Sequence, residues 1–342
     1  MRPPPACWTR FWFAPTPTST LAVVRIAYGI VLVAWTLSLS FDASPFLSTS
    51  GLVPERPRPP WTWSVLDWFP SDAAVGVVFA LLLAAAVAVL IGYRTRLAAA
   101  VVVVCLLSLH TRNPFVINSG DALLRVFGVY LALAPAGTAL SVDRWRQRPR
   151  RSFWHFPERS PLALRLMQLQ LSAMYLFAVW AKLRGTTWNN GTAVSYALRV
   201  EEVSRIDLPA WFTQSVAVSN VLTFGTLATE VALATLVWNR RARPWVLGLG
   251  VAMHLFIDLS ITVGFFSFVV FVGYLAFVPA DTMSRWILAV RDRLRRSPLA
   301  ASPTPNPSGP DPVPVPPPSD TCPTPTGEPI KEPTRFNAAS GG

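Results

Sequence analysis

Apolar runs close to 20 residues long recur along this chain, each bounded by short polar or basic segments. A helix of that length crosses the hydrocarbon core of a bilayer and satisfies its own backbone hydrogen bonds, so such runs indicate membrane spans. The runs cover residues 21–41, 72–92, 97–111, 121–139, 161–184 and 219–238, and a longer one covers residues 244–279. The last run is too long for one span, so we expect a break near Asp258–Gly264. The predicted fold is an all-α polytopic membrane protein with about eight transmembrane helices.

Composition and charge agree with a membrane protein and set its expected orientation. The chain is 52% hydrophobic and 14% charged, and its formal net charge is +12. Its arginines concentrate in the segments 1–20, 93–96, 141–160 and 239–243 and in the C-terminal stretch. Cationic loops stay on the cytoplasmic side of a membrane, so this pattern explains the positive charge without a nucleic acid partner, and we predict none. We expect a multi-pass protein of the cell membrane with both termini in the cytoplasm.

The segments outside the apolar runs are expected to differ in structure. Residues 1–20 are predicted to form a cytoplasmic N-terminal segment, and residues 281–297 a basic amphipathic stretch. The loop 185–218 is expected on the extracytoplasmic side, with short amphipathic helices around Thr192–Val203 and Ala210–Val218.

Residues 298–342 differ in composition from the rest of the chain. Proline recurs throughout this segment, and large apolar residues are nearly absent. Such a segment buries too little surface to offset its chain entropy, so we predict a disordered Pro-rich tail. A ligand for an SH3-type domain is an alternative interpretation, and the sequence does not identify a protein partner for the tail.

Lys182 is unusual because this chain otherwise uses Arg as its cation. Of 30 Lys and Arg residues only two are Lys, and the other one is Lys331 in the tail. The predicted topology places Lys182 near the extracytoplasmic face. An Arg keeps its proton in a protein, whereas a buried Lys can lose it and act as a base. The alternative is a lysine at a helix end whose ammonium reaches the headgroups, as we expect for Arg25 in the first run.

Other polar side chains lie within the apolar runs, where a charge is costly and often functional. Tyr175 shares a helix face with Lys182 because the two are seven residues apart. Glu230 lies in the sixth run, and His254 and Asp258 are four residues apart in the long last run. Glu230 has the alternative role of pairing with an Arg of another helix, and His254 and Asp258 that of a pair that fixes packing.

A further polar group lies where the third run ends and the fourth begins. Asp121 and Arg125 are four residues apart, which is also the spacing of a structural ion pair within one helix. Arg112 follows His110 at the end of the third run. Since His110 and His254 are the only imidazoles at useful depth, we predict no metal site.

Residues 175–198 carry the most specific motif of the chain. They read YLFAVWAKLRGTTWNNGTAVSYAL, in which Lys182 and Leu183 are followed at fixed spacing by Trp188 and Gly191. Two further stretches support the same comparison: RNPFVINSGDALLR at 112–125 and GFFSFVVFVGYLAFVP at 264–279.

Over roughly residues 15–285 the chain resembles the horizontally transferred transmembrane (HTTM) domain family, bacterial relatives of vitamin K-dependent gamma-carboxylase. The resemblance implies one transmembrane domain, residues 21–280. In the carboxylase a lysine at the matching position is thought to deprotonate a reduced quinone. Carried to this chain, Lys182 would be the base of a quinol-dependent carboxylase- or oxygenase-like enzyme, with a vitamin K-type quinol or menaquinol as cofactor. Asp121 stands where the carboxylase has a histidine.

The polar positions and the resemblance together define the predicted site. Catalytic roles are expected for Lys182, His254 and Asp258. Expected quinone-binding residues are Tyr175, Trp188, Glu230, Asp121, Arg125 and Arg112. A neutral amine at Lys182 requires an apolar setting with no strong carboxylate partner close by.

Two other classes of function compete with an enzyme. One is a non-enzymatic membrane scaffold that binds quinone or lipid, and it gives no reason for a single lysine at this depth. The other is a transporter of protons or small solutes that uses Glu230, His254 and Asp258. Transporters often contain internal repeats, and residues 21–140 and 161–279 show no convincing similarity to each other.

Overall fold

A computed structural model describes residues 6–52, 62–147 and 153–296, and almost all regular structure in these residues is helical. The helices are α1 Ala6–Phe13, α2 Ser19–Phe41, α3 Ala43–Leu47, α4 Asp72–Ile91, α5 Thr95–Arg112, α6 Ser119–Leu133, α7 Val142–Gln147, α8 Leu162–Lys182, α9 Thr186–Asn189, α10 Ala193–Leu198, α11 Ala210–Thr213, α12 Val216–Ala234, α13 Arg243–Ser260, α14 Phe266–Leu275 and α15 Ala280–Arg296. Single 3-10 turns cover Val65–Asp67, Pro114–Val116, Glu201–Val203 and Leu236–Trp238. The predicted tail, residues 298–342, lies outside the described residues.

Five of the described helices are long and apolar enough to cross a membrane: α2, α4, α5, α8 and α12. A sixth span results if α14 and α15 count as one, although the pair is bent by 103°. Helices α6 and α13 lie where the fourth and seventh spans are expected, but they do not meet the same criterion of length and hydropathy. The all-α polytopic membrane fold is therefore confirmed, whereas the count of eight spans stays a prediction.

Helix α6 is shorter than the apolar run that contains it. The run predicts a span to residue 139, but the helix ends at Leu133 and Ala134 is extended. Ala134 precedes Pro135, and a residue before proline is driven out of the helical region. The chain that follows turns back over α2, and its carbonyl oxygens accept hydrogen bonds from the guanidinium of Arg25: Ala136, Ala139 and Leu140, at 2.6–3.3 Å.

Arg25 therefore does not reach the headgroups as expected. Its side chain is fully buried, because the carbonyl groups that follow α6 lie within reach and replace water as hydrogen-bond partners. Charged side chains at this depth need such partners, since burial of an uncompensated cation is costly.

The break expected in residues 244–279 lies between Ser260, where α13 ends, and Phe266, where α14 begins. Gly264 in this break has φ +66°, which a residue with a Cβ adopts only at a cost. The start of α14 packs on the start of α6, since a Cβ on Gly120 would lie 2.7 Å from Cα of Phe266. The break thus brings the N-termini of two helices together at one end of the bundle.

The helices form two neighbouring groups that share α14. Helices α2, α4, α5 and α6 pack in sequence order, and α8, α12 and α13 pack beside them. Helix α14 contacts α2 and α6 of the first group and α8 and α13 of the second. Fully buried Tyr28, Leu82 and Phe127 lie in the core of the first group, and Leu171 on α8 extends the core to the second.

One end of the bundle, here called the basic end, collects six segments that each contain at least one Arg: residues 16–25, 93–97, 134–144, 157–165, 238–243 and 277–285. Strand β1 (Thr16–Pro17) pairs antiparallel with β2 (Glu158–Arg159) there. Ser19 Oγ donates to the carbonyl of Ala280 at 2.8 Å, and Arg243 Nη1 donates to the carbonyl of Phe277 at 3.2 Å. Described parts of the expected cytoplasmic segments 1–20, 93–96, 141–160 and 239–243 therefore lie at one end of the bundle, and the side of the membrane that this end faces stays a prediction.

Lys182 lies at the opposite end of the bundle, followed by a loop with short helices. Helices were expected around Thr192–Val203 and Ala210–Val218. The structure has α10 and a 3-10 turn in the first range, and α11 and the start of α12 in the second.

Candidate functional site

A cavity of about 570 Å³ lies between α8, α12 and α13 at the end of the bundle that carries Lys182. Apolar side chains form most of its wall, among them Met174, Ala178, Leu222, Met253, Ile257 and Phe266. The polar part of the wall comprises Tyr175, Lys182, Trp188, Glu230 and His254, with Ser119, Thr226, Thr229 and Ser260 nearby. Five of the nine predicted site residues therefore line one cavity, namely Tyr175, Lys182, Trp188, Glu230 and His254.

Lys182 and Glu230 form an ion pair in the wall of this cavity. Lys182 ends α8, and Glu230 lies well inside α12. The ammonium donates to Oε1 of the carboxylate, whose side chain is 8% exposed, against 23% for the lysine. The second carboxylate oxygen, Oε2, is buried and has no hydrogen-bond partner in the described part of the protein.

This pair corrects two expectations about the site. A setting without a nearby carboxylate was expected for Lys182, and it is wrong because Glu230 contacts the ammonium directly. Glu230 was considered as a partner for an Arg of another helix, and its partner is the lysine instead. The two residues are 48 positions apart in sequence, so only the packing of α8 on α12 brings them together.

Trp188 lies against the same ammonium. Lys182 Nζ is 5.0 Å from the centre of a Trp188 ring, a distance at which the ring attracts a cation. Gly191 follows with φ +72°, and its carbonyl accepts a hydrogen bond of 2.8 Å from Ser219 Oγ on α12. The turn after α8 is thereby fixed to α12, and it holds the indole over Lys182.

A buried group of aromatic side chains adjoins the pair. Tyr175 Oη lies 2.9 Å from Nε2 of His254 and 2.6 Å from Oη of Tyr274. Ser267 Oγ lies 3.4 Å from Nδ1 of the same imidazole. Both ring nitrogens of His254 therefore have partners on α8 and α14, and this explains how an imidazole is buried among apolar helices.

Gly250 makes room for this group. A Cβ at Gly250 would lie 2.6 Å from Oη of Tyr274 and 2.9 Å from Cδ2 of Leu233. The absence of a side chain at this position lets the Tyr274 hydroxyl reach Tyr175.

Asp258 does not line the cavity, although it lies one turn from His254. The expected pair between the two is wrong, because the imidazole bonds to Tyr175 and Ser267 instead. Asp258 is half-buried, and its Oδ2 has no hydrogen-bond partner in the described part of the chain.

Asp121 has a structural role at the start of α6. Its Oδ2 accepts the backbone N–H of Asn118 at 2.9 Å, while Asn118 Oδ1 accepts those of Gly120 and Asp121. Its Oδ1 accepts a hydrogen bond of 2.6 Å from the indole of Trp35. Asp121 and Arg125 form no ion pair, so that expectation is wrong, and neither residue lines the main cavity.

Arg112 also lies outside the main cavity. Its side chain is buried, and Nε donates to the carbonyl of Leu47 at 3.1 Å. The adjacent Asn113 donates to the carbonyl of Phe46 at 2.9 Å. The two residues fix α3 against the end of α5. Arg112 therefore has a structural role and does not line the main cavity.

Three polar residues of this end were not predicted as site residues. Tyr274 and Ser267 lie within the apolar run of α14. A hydroxyl group within such a run is the sequence signal that could have identified them as site residues. The third is His110, which faces a separate cavity of about 150 Å³ beside Trp35 and Asp121. His110 is buried, and neither ring nitrogen has a hydrogen-bond partner in the described residues.

The main cavity reaches the outer surface of the bundle between α12 and α13. Val221 and Leu249 line it, yet they are 72% and 53% exposed. Gly225 also lines it, and a Cβ there would meet no atom within 4 Å. The opening is therefore bordered by exposed apolar side chains.

The described residues contain no group of three or more His, Cys, Asp or Glu side chains that could hold a metal ion. The polar groups of the main cavity are an ion pair, phenols and one imidazole. Such groups hold and move protons.

A family model described as the HTTM domain matches residues 13–282. Neither the curated proteins nor the solved structures include a significant match to the chain. The matched range includes the main cavity and the helices α2 to α14 that surround it. The chain is an integral membrane protein and belongs to the HTTM domain family.

Proposed function

We propose that this protein is a membrane enzyme that removes a proton from a hydroxyl group of a quinol-type molecule bound in the main cavity. The observation that carries the proposal is the Lys182–Glu230 pair in a largely apolar wall that reaches the lipid-facing surface. The resemblance to vitamin K-dependent gamma-carboxylase supports it, because the lysine of that enzyme matches Lys182.

The residues present fit a reduced quinone. The cavity volume of about 570 Å³ lies within the usual range for small-molecule sites, which combine apolar walls with a few polar groups. The ring hydroxyl groups would meet the Lys182–Glu230 pair, and an apolar chain would leave past Val221 and Leu249. When bound, a reduced quinone supplies reducing equivalents and a weakly acidic hydroxyl group.

The ion pair itself offers a route to a neutral lysine. A proton that moves from Lys182 Nζ to Oε1 of Glu230 leaves an amine and a carboxylic acid. The transfer removes two buried charges, and the desolvation of buried charges is what makes such pairs costly. Lys182 Nζ can then accept a proton from a hydroxyl group in the cavity, while Glu230 retains the first proton.

The buried aromatic group positions this chemistry. Tyr175 lines the cavity, and His254 and Tyr274 hold its hydroxyl group. Trp188 covers the ammonium from the side of the loop. These side chains orient a bound ring and exclude water from the amine.

The test compares three variants of the purified protein in lipid nanodiscs. Reduced menaquinone is added, and its oxidation and the uptake of oxygen are recorded together. We expect Lys182→Arg and Glu230→Gln each to lower the rate by about 10²–10⁴, because loss of a general base has that effect. Arg cannot give up its proton, so it preserves the ion pair but not the proposed function.

Arg184→Ala is the matched control. Arg184 follows Lys182 by two residues, but it lies over the ring of Trp180 and outside the cavity, so its loss should leave turnover unchanged. An active Lys182→Arg variant would refute the lysine as base. Quinol that binds without turnover in the wild type would favour the quinone-binding scaffold. Incorporation of labelled carbon dioxide into a glutamyl peptide is measured separately, because it tests the carboxylase-like part of the proposal.

A further inference from the structure

A second large cavity, of about 640 Å³, lies at the basic end of the bundle. It is bounded by the turn between α4 and α5, the segment after α6, the start of α7 and strand β2. Its charged lining comprises Arg94, Arg96, Arg144, Arg159 and Asp143. Four guanidinium groups from three separate parts of the chain thus face one space together with a single carboxylate.

The carboxylate of Asp143 is already engaged by the backbone. Its Oδ1 accepts the N–H of Arg94 at 2.9 Å, and its Oδ2 accepts the N–H of Thr95 at 3.3 Å. Arg94 has φ 43° and precedes α5 without a side-chain cap, so Asp143 caps that helix from a distance. An anion at a helix N-terminus offsets the positive end of the helix dipole. Asp143 can offset only one of the four positive charges in the lining.

Buried Arg25 adds to the positive potential. It lies directly beneath the turn at Gly92, where a Cβ would collide with its guanidinium. Its partners are carbonyl groups of the segment after α6, and no described carboxylate forms an ion pair with it. Arg25 therefore places a further positive charge near the cavity, and Asp143 attracts it electrostatically.

The outer rim of the cavity is apolar. Leu97, Ala134 and Pro135 line it, and Leu97 is 58% exposed. The neighbouring Leu133 on α6 is 71% exposed. Both leucines belong to helices that pass into the membrane region, so the rim continues onto the lipid-facing surface. A free phosphate ion would gain nothing from this rim, whereas acyl chains would.

We propose that this cavity binds an anionic diacyl phospholipid, with its phosphate among the arginines and its acyl chains along Leu97 and Leu133. Guanidinium groups bind phosphate oxygens through paired, charge-assisted hydrogen bonds. Basic pockets between helices at the cytoplasmic surface are suited to anionic headgroups. The site is separate from the main cavity, and it does not depend on the proposed function.

The experiment measures lipid binding to the delipidated full-length protein by native mass spectrometry and by thermal unfolding. The probes are phosphatidylglycerol, phosphatidylcholine and inorganic phosphate at equal ionic strength. We expect phosphatidylglycerol alone to be retained and to raise the unfolding temperature. The variant Arg94→Gln/Arg96→Gln/Arg159→Gln should bind it roughly 100-fold more weakly, since each cation near an anionic lipid contributes about a factor of five.

The matched control removes the same charge elsewhere at the basic end. Arg240→Gln/Arg241→Gln/Arg285→Gln changes three exposed arginines outside the cavity and should retain phosphatidylglycerol binding. Replacing the three cavity arginines by Lys serves where the Gln variant does not fold, and it should bind more weakly than wild type because Lys lacks the planar fork.

Three results would overturn the proposal. The first is equal binding by the cavity variants and the wild type. The second is an equal loss in the control, which would indicate attraction to the whole basic surface. The third is an equal response to inorganic phosphate, which would indicate a site for free phosphate.

Discussion

Substitution of Gly250 tests whether packing holds the buried hydroxyl group of Tyr274 in place. A Cβ at this position would lie 2.6 Å from that hydroxyl group, so Gly250→Ala must displace it from Tyr175. Overpacking of a core costs about 1–3 kcal/mol. We expect the variant to unfold at a lower temperature in detergent, as followed by circular dichroism.

Gly248 provides the control on the same helix. A Cβ there would meet no atom within 4 Å, and alanine is favoured over glycine inside a helix by about 0.5–1 kcal/mol. Gly248→Ala should therefore be neutral or stabilising. Equal destabilisation by the two substitutions would show that Gly250 is needed for the helix itself and not for Tyr274.

The chemistry of single residues predicted five side chains that line the main cavity, but not the contacts between them. Lys182 stands out by composition, and Glu230 and His254 stand out as ionisable groups in apolar runs. Their mutual contacts depend on how α8 meets α12 and α14, which no local pattern encodes. Asp258 shows the limit of spacing rules. A spacing of four residues places Asp258 on the same helix face as His254, but the imidazole contacts Tyr175 and Ser267 on other helices instead.

Among the elements, α6 begins with a capping box formed by Asn118 and Asp121. The Asn118 side chain accepts hydrogen bonds from the backbone N–H groups of Gly120 and Asp121, and the Asp121 carboxylate accepts one from the backbone N–H of Asn118. Loss of an N-cap costs about 1 kcal/mol. We expect Asn118→Ala to lower the stability by about that amount. The amides of Gly120 and Asp121 should then exchange hydrogen faster, which mass spectrometry measures.

Asn118→Ser is the conservative counterpart, because serine is an equally good N-cap residue. It should keep the slow exchange of the wild type. Fast exchange in both variants would mean that the start of α6 depends on the Asn118 side chain for packing against the turn at Gly264 rather than for capping.

The lengths of the apolar runs predict where the helices lie. They predict where a helix ends only if a local signal, such as a proline, marks that end. The predicted first, second and fifth spans agree with α2, α4 and α8 to within two residues. The fourth span was overestimated because Pro135 ends α6 within an apolar run. That run continues past the proline because Ala134, Ala136 and Ala139 are buried, two of them in contact with Arg25, and burial rather than helix formation explains their composition.

Across the whole molecule, the two large cavities lie at opposite ends of the bundle. The main cavity opens beside Lys182, and the second lies among the arginines of the basic end. Both reach lipid-facing surface, through Val221 in one case and Leu97 in the other. The orientation of the bundle therefore decides which cavity meets the cytoplasmic leaflet, where anionic lipids concentrate.

That orientation can be measured with single cysteines in a background in which Cys7, Cys105 and Cys322 are replaced by serine. Arg-rich segments remain in the cytoplasm, so we expect the basic end to be inside. Asn190→Cys, in the loop after Lys182, should react with a membrane-impermeant maleimide in intact cells. Arg241→Cys, at the basic end, should react only after the cells are opened. Both positions are exposed, so a difference in labelling reports the side of the membrane and not burial.

A reporter fused after residue 300 provides an independent reading of the same orientation. It should be active only in a form that works in the cytoplasm, because the basic end carries α15 as well as the start of α2. Labelling of Arg241→Cys in intact cells, or an active periplasmic reporter, would show that the bundle has the opposite orientation in the membrane. Lys182 would then face the cytoplasm, and the second cavity, at the basic end, would face the leaflet poorer in anionic lipid. The result for Arg241→Cys must agree with that for the reporter, since Ser19, Arg243 and the start of α15 lie together at the basic end.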